Sequence, residues 1–210
     1  MKNRKSNRFV RALGLFAMLV LLSACGAGFQ AAGDVAQGRQ ALFRGDNQGA
    51  LGYFQNAAQV DSNYIYGGEL REGVLSFLGR AQYLNGELAA ARATLQKALA
   101  QHNSDSLARL YLGLTLARLG DRQAGLRDIE AGIKGIKDFL NYITTTFGFT
   151  FGQYWDPGQT IRKTCDANLA LIARGNINWS TLISNGEALG LTFEQEPDRA
   201  LQDQNRRFGN

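Results

Sequence analysis

The chain has 210 residues, enough for one domain of ordinary size with a hydrophobic core. Its 23 Lys and Arg residues against 18 Asp and Glu residues give a formal net charge of +5. Five of those cations precede Cys25 with no acidic residue among them, so the chain from Cys25 onward is neutral. This balance argues against nucleic acid as a partner, because a protein that binds nucleic acid needs a clustered basic face.

The first 24 residues have the three parts of a secretory signal peptide. They begin with a basic segment, continue with an apolar stretch from Ala12 to Ala24, and end in small residues. As a helix, the apolar stretch would span only about 20 Å, less than the ~30 Å hydrocarbon core of a bilayer. We therefore expect residues 1–24 to be cleaved rather than to form a permanent membrane span.

Residues 22–25, Leu-Ser-Ala-Cys, resemble the lipobox of bacterial lipoproteins. The resemblance implies a diacylglycerol on Cys25, a lipidated tether over residues 25–30, and no other cofactor. Two or three acyl chains together anchor a protein stably. Gly26, where the inner-membrane retention signal has Asp, implies an outer-membrane position facing the periplasm. The alternative is an ordinary signal peptide with a chance cysteine.

Lipidation of Cys25 would leave Cys165 without an intrachain partner, because the chain has two cysteines. The periplasm is oxidising, so an exposed lone thiol would be at risk there. We therefore expect Cys165 to be buried.

Three stretches, beginning at Gly38, Gly79 and Gly113, share one spacing of small and large residues. The shared positions are Gly38, Gly45, Ala50, Phe54 and Ala57, then Gly79, Gly86, Ala91, Leu95 and Ala98, and finally Gly113, Gly120, Gly125, Ile129 and Gly132. Small residues let two helices approach closely, and the large residue fills the gap between them. The second glycine of each set precedes an acid, which suits a turn between two helices. The spacing thus predicts three antiparallel helix pairs.

This pattern resembles the tetratricopeptide repeat, and on that frame the copies span about residues 31–64, 72–105 and 106–139. The resemblance implies an all-α solenoid of antiparallel helix pairs. The family's characteristic Trp is absent from all three copies, and Ser62 and Asn103 replace its usual Pro. The first two copies are further apart than the last two, and residues 64–72 between them are expected to lengthen the next first helix or its approach.

The first helices of such repeats line a concave face. Aromatic and arginine side chains, which are enriched at binding hot spots, would lie there: Arg39, Phe43, Phe77, Arg80, Tyr83, Tyr111 and Arg118. One interpretation is a groove for a peptide or helix of an envelope protein. The other is that these side chains pack against the next repeat or the C-terminal segment.

Residues 140–156 follow the repeats as an aromatic-rich arm. Phe147, Phe149 and Phe151 alternate with small or polar residues, a period that predicts a short extended segment. The arm would fold back as core for the last repeat, or else contact the concave face, lipid or a partner.

Residues 157–196 are predicted to form two helices that cap the solenoid. Asp156 would be the N-cap of the first, which would end at Gly175, and the second would start near Asn178. Pro197 is expected to kink the second helix or to begin a short extension, and residues 197–210 to fray as a polar tail.

The residue pattern holds no catalytic constellation. Ser104 and Asp105, beside the only histidine, His102, are interpreted as helix caps rather than members of a triad. We find no spacing typical of metal ligands and no phosphate-binding glycine loop, so we predict neither an enzyme nor a metal site.

The expected function is that of a lipid-anchored adaptor that binds envelope proteins or peptides, in envelope, secretion, pilus or polysaccharide-export assembly. The alternative is an accessory subunit that holds a glycan or a cell-wall enzyme, with Tyr83 and Trp155 as the aromatic side chains that contact the sugar.

Overall fold

The structure is a computed structural model that describes residues 28–208. The predicted leader and the lipidation of Cys25 lie outside the described residues, so they remain predictions. Residues 28–30, which the sequence placed in the tether, already belong to the first helix. The described part is 78 % helical and has almost no sheet, which confirms the prediction of an all-α fold.

The elements follow one another as helical hairpins with short turns. In chain order they are α1 (28–43), α2 (Asn47–Val60), β1 (Ile65–Tyr66), β2 (Glu72–Gly73), α3 (Val74–Leu84), α4 (Leu88–Gln101), α5 (Ser106–Arg118), α6 (Arg122–Thr146), a 3-10 helix (Phe151–Tyr154), α7 (Thr160–Ala173) and α8 (Trp179–Phe208). From α2 to α6, each helix packs against the next helix along the chain. The pairs α1–α2, α3–α4 and α5–α6 correspond to the three predicted copies.

The small residues of the spacing lie where paired helices approach each other. In each pair the large residue packs against the first glycine: Phe54 on Gly38, Leu95 on Gly79, and Ile129 on Gly113. The third pair is the closest, because a Cβ at Gly113 would lie 2.8 Å from the Gly125 carbonyl oxygen and would also collide with the backbone nitrogen of Ile129. Glycine is therefore required at this crossing.

The turns within the pairs depend on glycine in the left-handed region. Gly45, Gly86 and Gly120 have φ angles of 78°, 80° and 95°. Glycine adopts this conformation without steric cost and so ends the first helix of each pair. The carboxylates of Asp46 and Asp121 then accept hydrogen bonds from the amides of the next helix.

The segment between the first two repeats is a β-hairpin, so of the two predicted outcomes it lengthens the approach to the next first helix and not the helix itself. Ile65 pairs with Gly73 and Tyr66 with Glu72 in antiparallel register. The turn includes Gly67, whose φ of 99° favours glycine. The two extended strands precede α3, which begins directly after Gly73.

The aromatic arm is not extended, which corrects the prediction for residues 140–156. Helix α6 continues to Thr146, and a turn then leads into the 3-10 helix. The rings of Phe147 and Phe151 stack with centroids 4.7 Å apart, while Phe149 is fully exposed. The turn brings the first and third phenylalanines together, whereas a strand would have kept them apart on one face.

The capping helices start close to the predicted positions. The Asp156 carboxylate accepts hydrogen bonds from the amides of Ile161 and Arg162, although α7 begins only at Thr160. The Asn178 side chain accepts from the amide of Thr181 and caps α8.

The predicted frayed tail is wrong, because α8 continues through Pro197 to Phe208. Proline removes one helical N–H, but ion pairs hold the turns on either side. Arg199 pairs with Glu196, and its Nη1 lies 2.5 Å from Asp203 Oδ2. Arg199 also donates to the carbonyl oxygen of Tyr154, which ties this part of α8 to the 3-10 helix.

Candidate functional site

Helix α8 lies along the face formed by α1, α3 and α5, which is called here the inner face. Its Gly186 and Gly190 lie directly against Leu114 and Tyr111 of α5. Between these two glycines, Glu187 accepts a hydrogen bond of 2.5 Å from the Tyr83 hydroxyl. Residues 186–198 of α8 thus cover the surface where the sequence predicts a partner groove.

The seven predicted groove residues separate into two groups. Five are buried, namely Arg39, Phe77, Arg80, Tyr83 and Tyr111. Phe43 is half-buried, and Arg118 is exposed with its guanidinium 4.8 Å from the centroid of the Tyr83 ring. As a groove open to a partner, the prediction is wrong for the five buried residues, because the protein's own C-terminal helix takes that position.

Four charged side chains meet beneath α8 and form what is called here the charge cluster: Arg39, Glu72, Arg80 and Glu194. All four are nearly inaccessible, with at most 7 % of each residue exposed. Arg80 Nη2 lies 2.7 Å from Glu72 Oε2 and 3.3 Å from Glu194 Oε1. Arg39 Nε lies 3.6 Å from the same Glu194 oxygen, so the cluster connects α1, β2, α3 and α8.

Aromatic rings complete the surroundings of both arginines. The Arg80 guanidinium lies 4.6 Å from the centroid of Phe77 and 5.9 Å from that of Tyr111. Arg39 lies between Phe43 and Tyr66, at 5.2 Å and 5.3 Å from their centroids. A cation over a ring face is stabilised by the ring quadrupole, more so where water is excluded.

Burial changes the protonation of the cluster. It raises the pKa of Glu72 to about 8, although attraction to Arg80 works in the opposite direction. For Arg80, burial lowers the pKa but the carboxylates of Glu194 and Glu72 raise it further, so the net shift is upward and the guanidinium stays charged. The cluster therefore combines a permanent cation with a carboxyl group that titrates near neutral pH.

Several polar atoms of the cluster have no hydrogen-bond partner within residues 28–208. They are Glu72 Oε2, Glu194 Oε1 and the three guanidinium nitrogens of Arg80. The ion-pair contacts of Arg80 are short, but their alignment is not that of a hydrogen bond. Buried polar groups in proteins nearly always make hydrogen bonds. Because several buried atoms without one lie together here, we take the charge cluster as the candidate site.

The acidic half of the cluster was not predicted from the sequence. Glu72 lies in a β-hairpin that the sequence did not indicate, within a segment expected to lengthen the next helix or its approach. Glu194 follows Phe193, the last residue of the apolar face of the second capping helix, and begins a polar run. One signal was available: Arg39 and Arg80 follow the first glycine of successive repeats, on the concave face that one interpretation packs against the C-terminal segment. Arginines at such positions require acidic partners.

The other predicted features have clear positions. Asp105 caps α5 by accepting a hydrogen bond of 2.8 Å from the Ala108 amide, as expected. His102 ends α4 and lies against Gly73. Tyr83 and Trp155, the aromatic pair of the glycan alternative, are both buried.

Cys165 is a free thiol buried in the core, as predicted. Burial raises its pKa to about 12, so the thiol stays protonated at physiological pH and is inert as a nucleophile. Over the part of the chain that the structure describes, no group of His, Cys, Asp and Glu side chains is arranged to hold a metal ion.

The fold and site define an all-α protein of helical hairpins whose inner face is covered by its own last helix. Within residues 28–208, no helix combines the length and the apolar character needed to cross a membrane. No protein-family model and no curated protein matches the chain.

Proposed function

We propose that this protein is an outer-membrane lipoprotein that faces the periplasm and acts as an adaptor for other envelope proteins. The observation that carries the proposal is the order of its parts, a lipobox-like segment at residues 22–25 followed at once by helical hairpins with repeat spacing. An acylated N-terminus would confine the hairpins to a membrane surface. Such confinement raises their effective concentration near membrane partners.

The tetratricopeptide-like spacing supports a role in protein binding, but α8 covers the face that such repeats commonly offer. A partner would therefore use another surface. Tyr142 and Phe149 are exposed aromatic side chains at the end of α6 and in the turn after it. Aromatic residues are enriched at protein interfaces, and these two form the partner surface of the proposal.

The lipid anchor is tested by replacing Cys25. We expect the native protein to sediment with outer membranes and to carry acyl chains on Cys25 by mass spectrometry. Cys25→Ala should abolish acylation and membrane attachment, because the thiol is the acceptor of the diacylglycerol. Cys165→Ala is the matched control and should sediment as the native protein does. A native protein that begins at another residue without lipid would disprove the anchor.

The partner surface is tested by crosslinking in native envelopes. A photo-reactive amino acid in place of Phe149 should give a discrete adduct with an envelope protein, since this side chain is fully exposed. The same amino acid in place of Lys97, an exposed position on α4, is the control and should give none. Equal adducts from both positions, or none from Phe149 and Tyr142, would contradict the proposed surface.

A further inference from the structure

A cavity of about 230 Å³ lies beside the charge cluster, between the β-hairpin and α8. Its wall also includes side chains from α1, α3 and the 3-10 helix. Such a volume holds about seven or eight groups the size of a water molecule. It is smaller than the roughly 300 Å³ at which pockets for drug-sized ligands begin. A fitting occupant is a small molecule or one side chain.

Aromatic rings form the apolar part of this wall. The four rings are those of Tyr66, Phe77, Phe151 and Trp155. Two of them already hold a guanidinium of the protein itself, since Arg39 lies over Tyr66 and Arg80 over Phe77. Ring faces attract cations, particularly where water is excluded, so the wall suits an organic cation with an apolar stem.

The charges that line the cavity also favour a cation. Four acidic side chains line it, those of Glu69, Glu72, Glu194 and Asp198, of which Glu72 ionises fully only above about pH 8. Arg39 is the one Lys or Arg among the lining residues that the structure describes. With Arg80 behind the wall included, four acids surround two guanidiniums. An anionic ligand would meet this excess of negative charge at close range.

Two buried carboxyl groups in the wall give the cavity a directional preference. Glu72 and Glu194 are at least nine-tenths buried and line the cavity. One oxygen of each contacts Arg80 Nη2, at 2.7 Å and 3.3 Å, without the alignment of a hydrogen bond, so each can still accept an aligned one. An ammonium or guanidinium group carries several N–H donors and no acceptor, so it can satisfy both oxygens at once.

We propose that this cavity is a binding site for an organic cation, a primary amine or guanidinium carried on a short apolar stem. The N–H donors would contact Glu72 and Glu194, and the stem would lie against the aromatic wall. A free small molecule and a Lys or Arg side chain of a peptide share this chemistry. The proposal does not depend on the adaptor function, because it rests on the cavity alone.

Protonation of Glu72 gives the site a pH dependence with a definite sign. The charged groups around this carboxyl are Arg39, Arg80, Asp105 and Glu194, and His102 lies against the adjacent Gly73. In the empty site Glu72 titrates near pH 8. A bound cation favours the ionised carboxylate, so binding below that pH releases a proton. Affinity should rise as the pH approaches 8 and level off above it.

The test is titration calorimetry of the purified full chain with butylguanidinium and with butylurea, its neutral counterpart of nearly equal shape. The guanidinium stays charged throughout the accessible pH range. We expect butylguanidinium to bind with proton release at neutral pH, and butylurea to bind about tenfold more weakly or not at all. Equal affinity for the two, or no binding at about 10 mM butylguanidinium, would overturn the proposal.

A second calorimetric titration, with a blocked Gly-Arg-Gly peptide and its citrulline counterpart, distinguishes a free small molecule from an arginine side chain of a partner. Tighter binding of the Arg peptide than of butylguanidinium indicates a side chain of a partner, and the reverse order indicates a free small molecule. Both orders support the shared chemistry. A citrulline peptide that binds as well as the Arg peptide would contradict it.

Two variants test the role of the buried carboxylate. Glu72→Gln keeps the shape of the site and should weaken butylguanidinium binding about tenfold or more, and it should remove the proton release. Glu130→Gln makes the same charge change at an exposed position on α6 and should leave both unchanged. Circular dichroism checks that both variants are folded. Unaltered binding by a folded Glu72→Gln variant would overturn the assignment of this residue.

Discussion

Replacement of Arg80 by methionine is expected to lower the free energy of unfolding by about 3–5 kcal/mol. Methionine fills a similar length of space but removes the cation that contacts both Glu72 and Glu194, and leaves Arg39, 3.6 Å from Glu194, as the remaining cation of the cluster. Both carboxylates are buried, so water cannot replace the lost charge. Urea unfolding of the purified protein, followed by circular dichroism, measures the change.

The Arg80 result has a matched control and a rescue. Arg92→Met makes the same substitution at an exposed position on α4 and should change stability by less than about 0.5 kcal/mol. Addition of Glu72→Gln to Arg80→Met should recover part of the loss, because the carboxyl group that contacted the lost cation can then no longer ionise, while Glu194 keeps its contact with Arg39. A loss below about 1 kcal/mol for Arg80→Met would show that the cluster does not depend on this cation.

Gly113→Ala is expected to destabilise the protein by about 2–3 kcal/mol, although alanine is the better helix former. The added Cβ would meet the backbone of α6, including the Gly125 carbonyl oxygen at 2.8 Å and the Asp128 carbonyl carbon at 2.9 Å. Backbone atoms inside a helix cannot rotate away as a side chain can, so α5 and α6 must move apart. Thermal or urea unfolding of the purified variant measures the effect.

The matched control for Gly113 is Gly52, which lies in the interior of α2 and has no heavy atom within 4 Å of an added Cβ. Gly52→Ala should therefore stabilise the protein by up to about 1 kcal/mol through helix propensity alone. A loss of stability at Gly113 and a gain at Gly52 would show that packing, and not helix propensity, decides the effect at Gly113. A Gly113→Ala variant as stable as Gly52→Ala would contradict the close crossing of α5 and α6.

Half of the candidate site was accessible from the sequence. Arg39 and Arg80 were identified because their helix and face follow from a local spacing. Their partners were not, since Glu72 depends on a hairpin that local propensity did not indicate. Glu194 lies on a helix whose position is set by contacts across the whole chain. The Arg39 guanidinium donates to the Glu194 carbonyl oxygen across 155 residues, a distance over which no spacing rule operates.

The sequence by itself determined the helical hairpins, their glycine turns, the small residues at their crossings and the burial of Cys165. All of these depend on interactions within about one helix pair, where residue spacing dictates which side chains meet. Only the tertiary structure decided that α8 continues past Pro197 and covers the inner face. The position of α8 depends on the apolar surface that it buries against several helices and on the pairing of Arg39 and Arg80 with Glu194. Contacts between residues so far apart in the chain produce no regular spacing in the sequence.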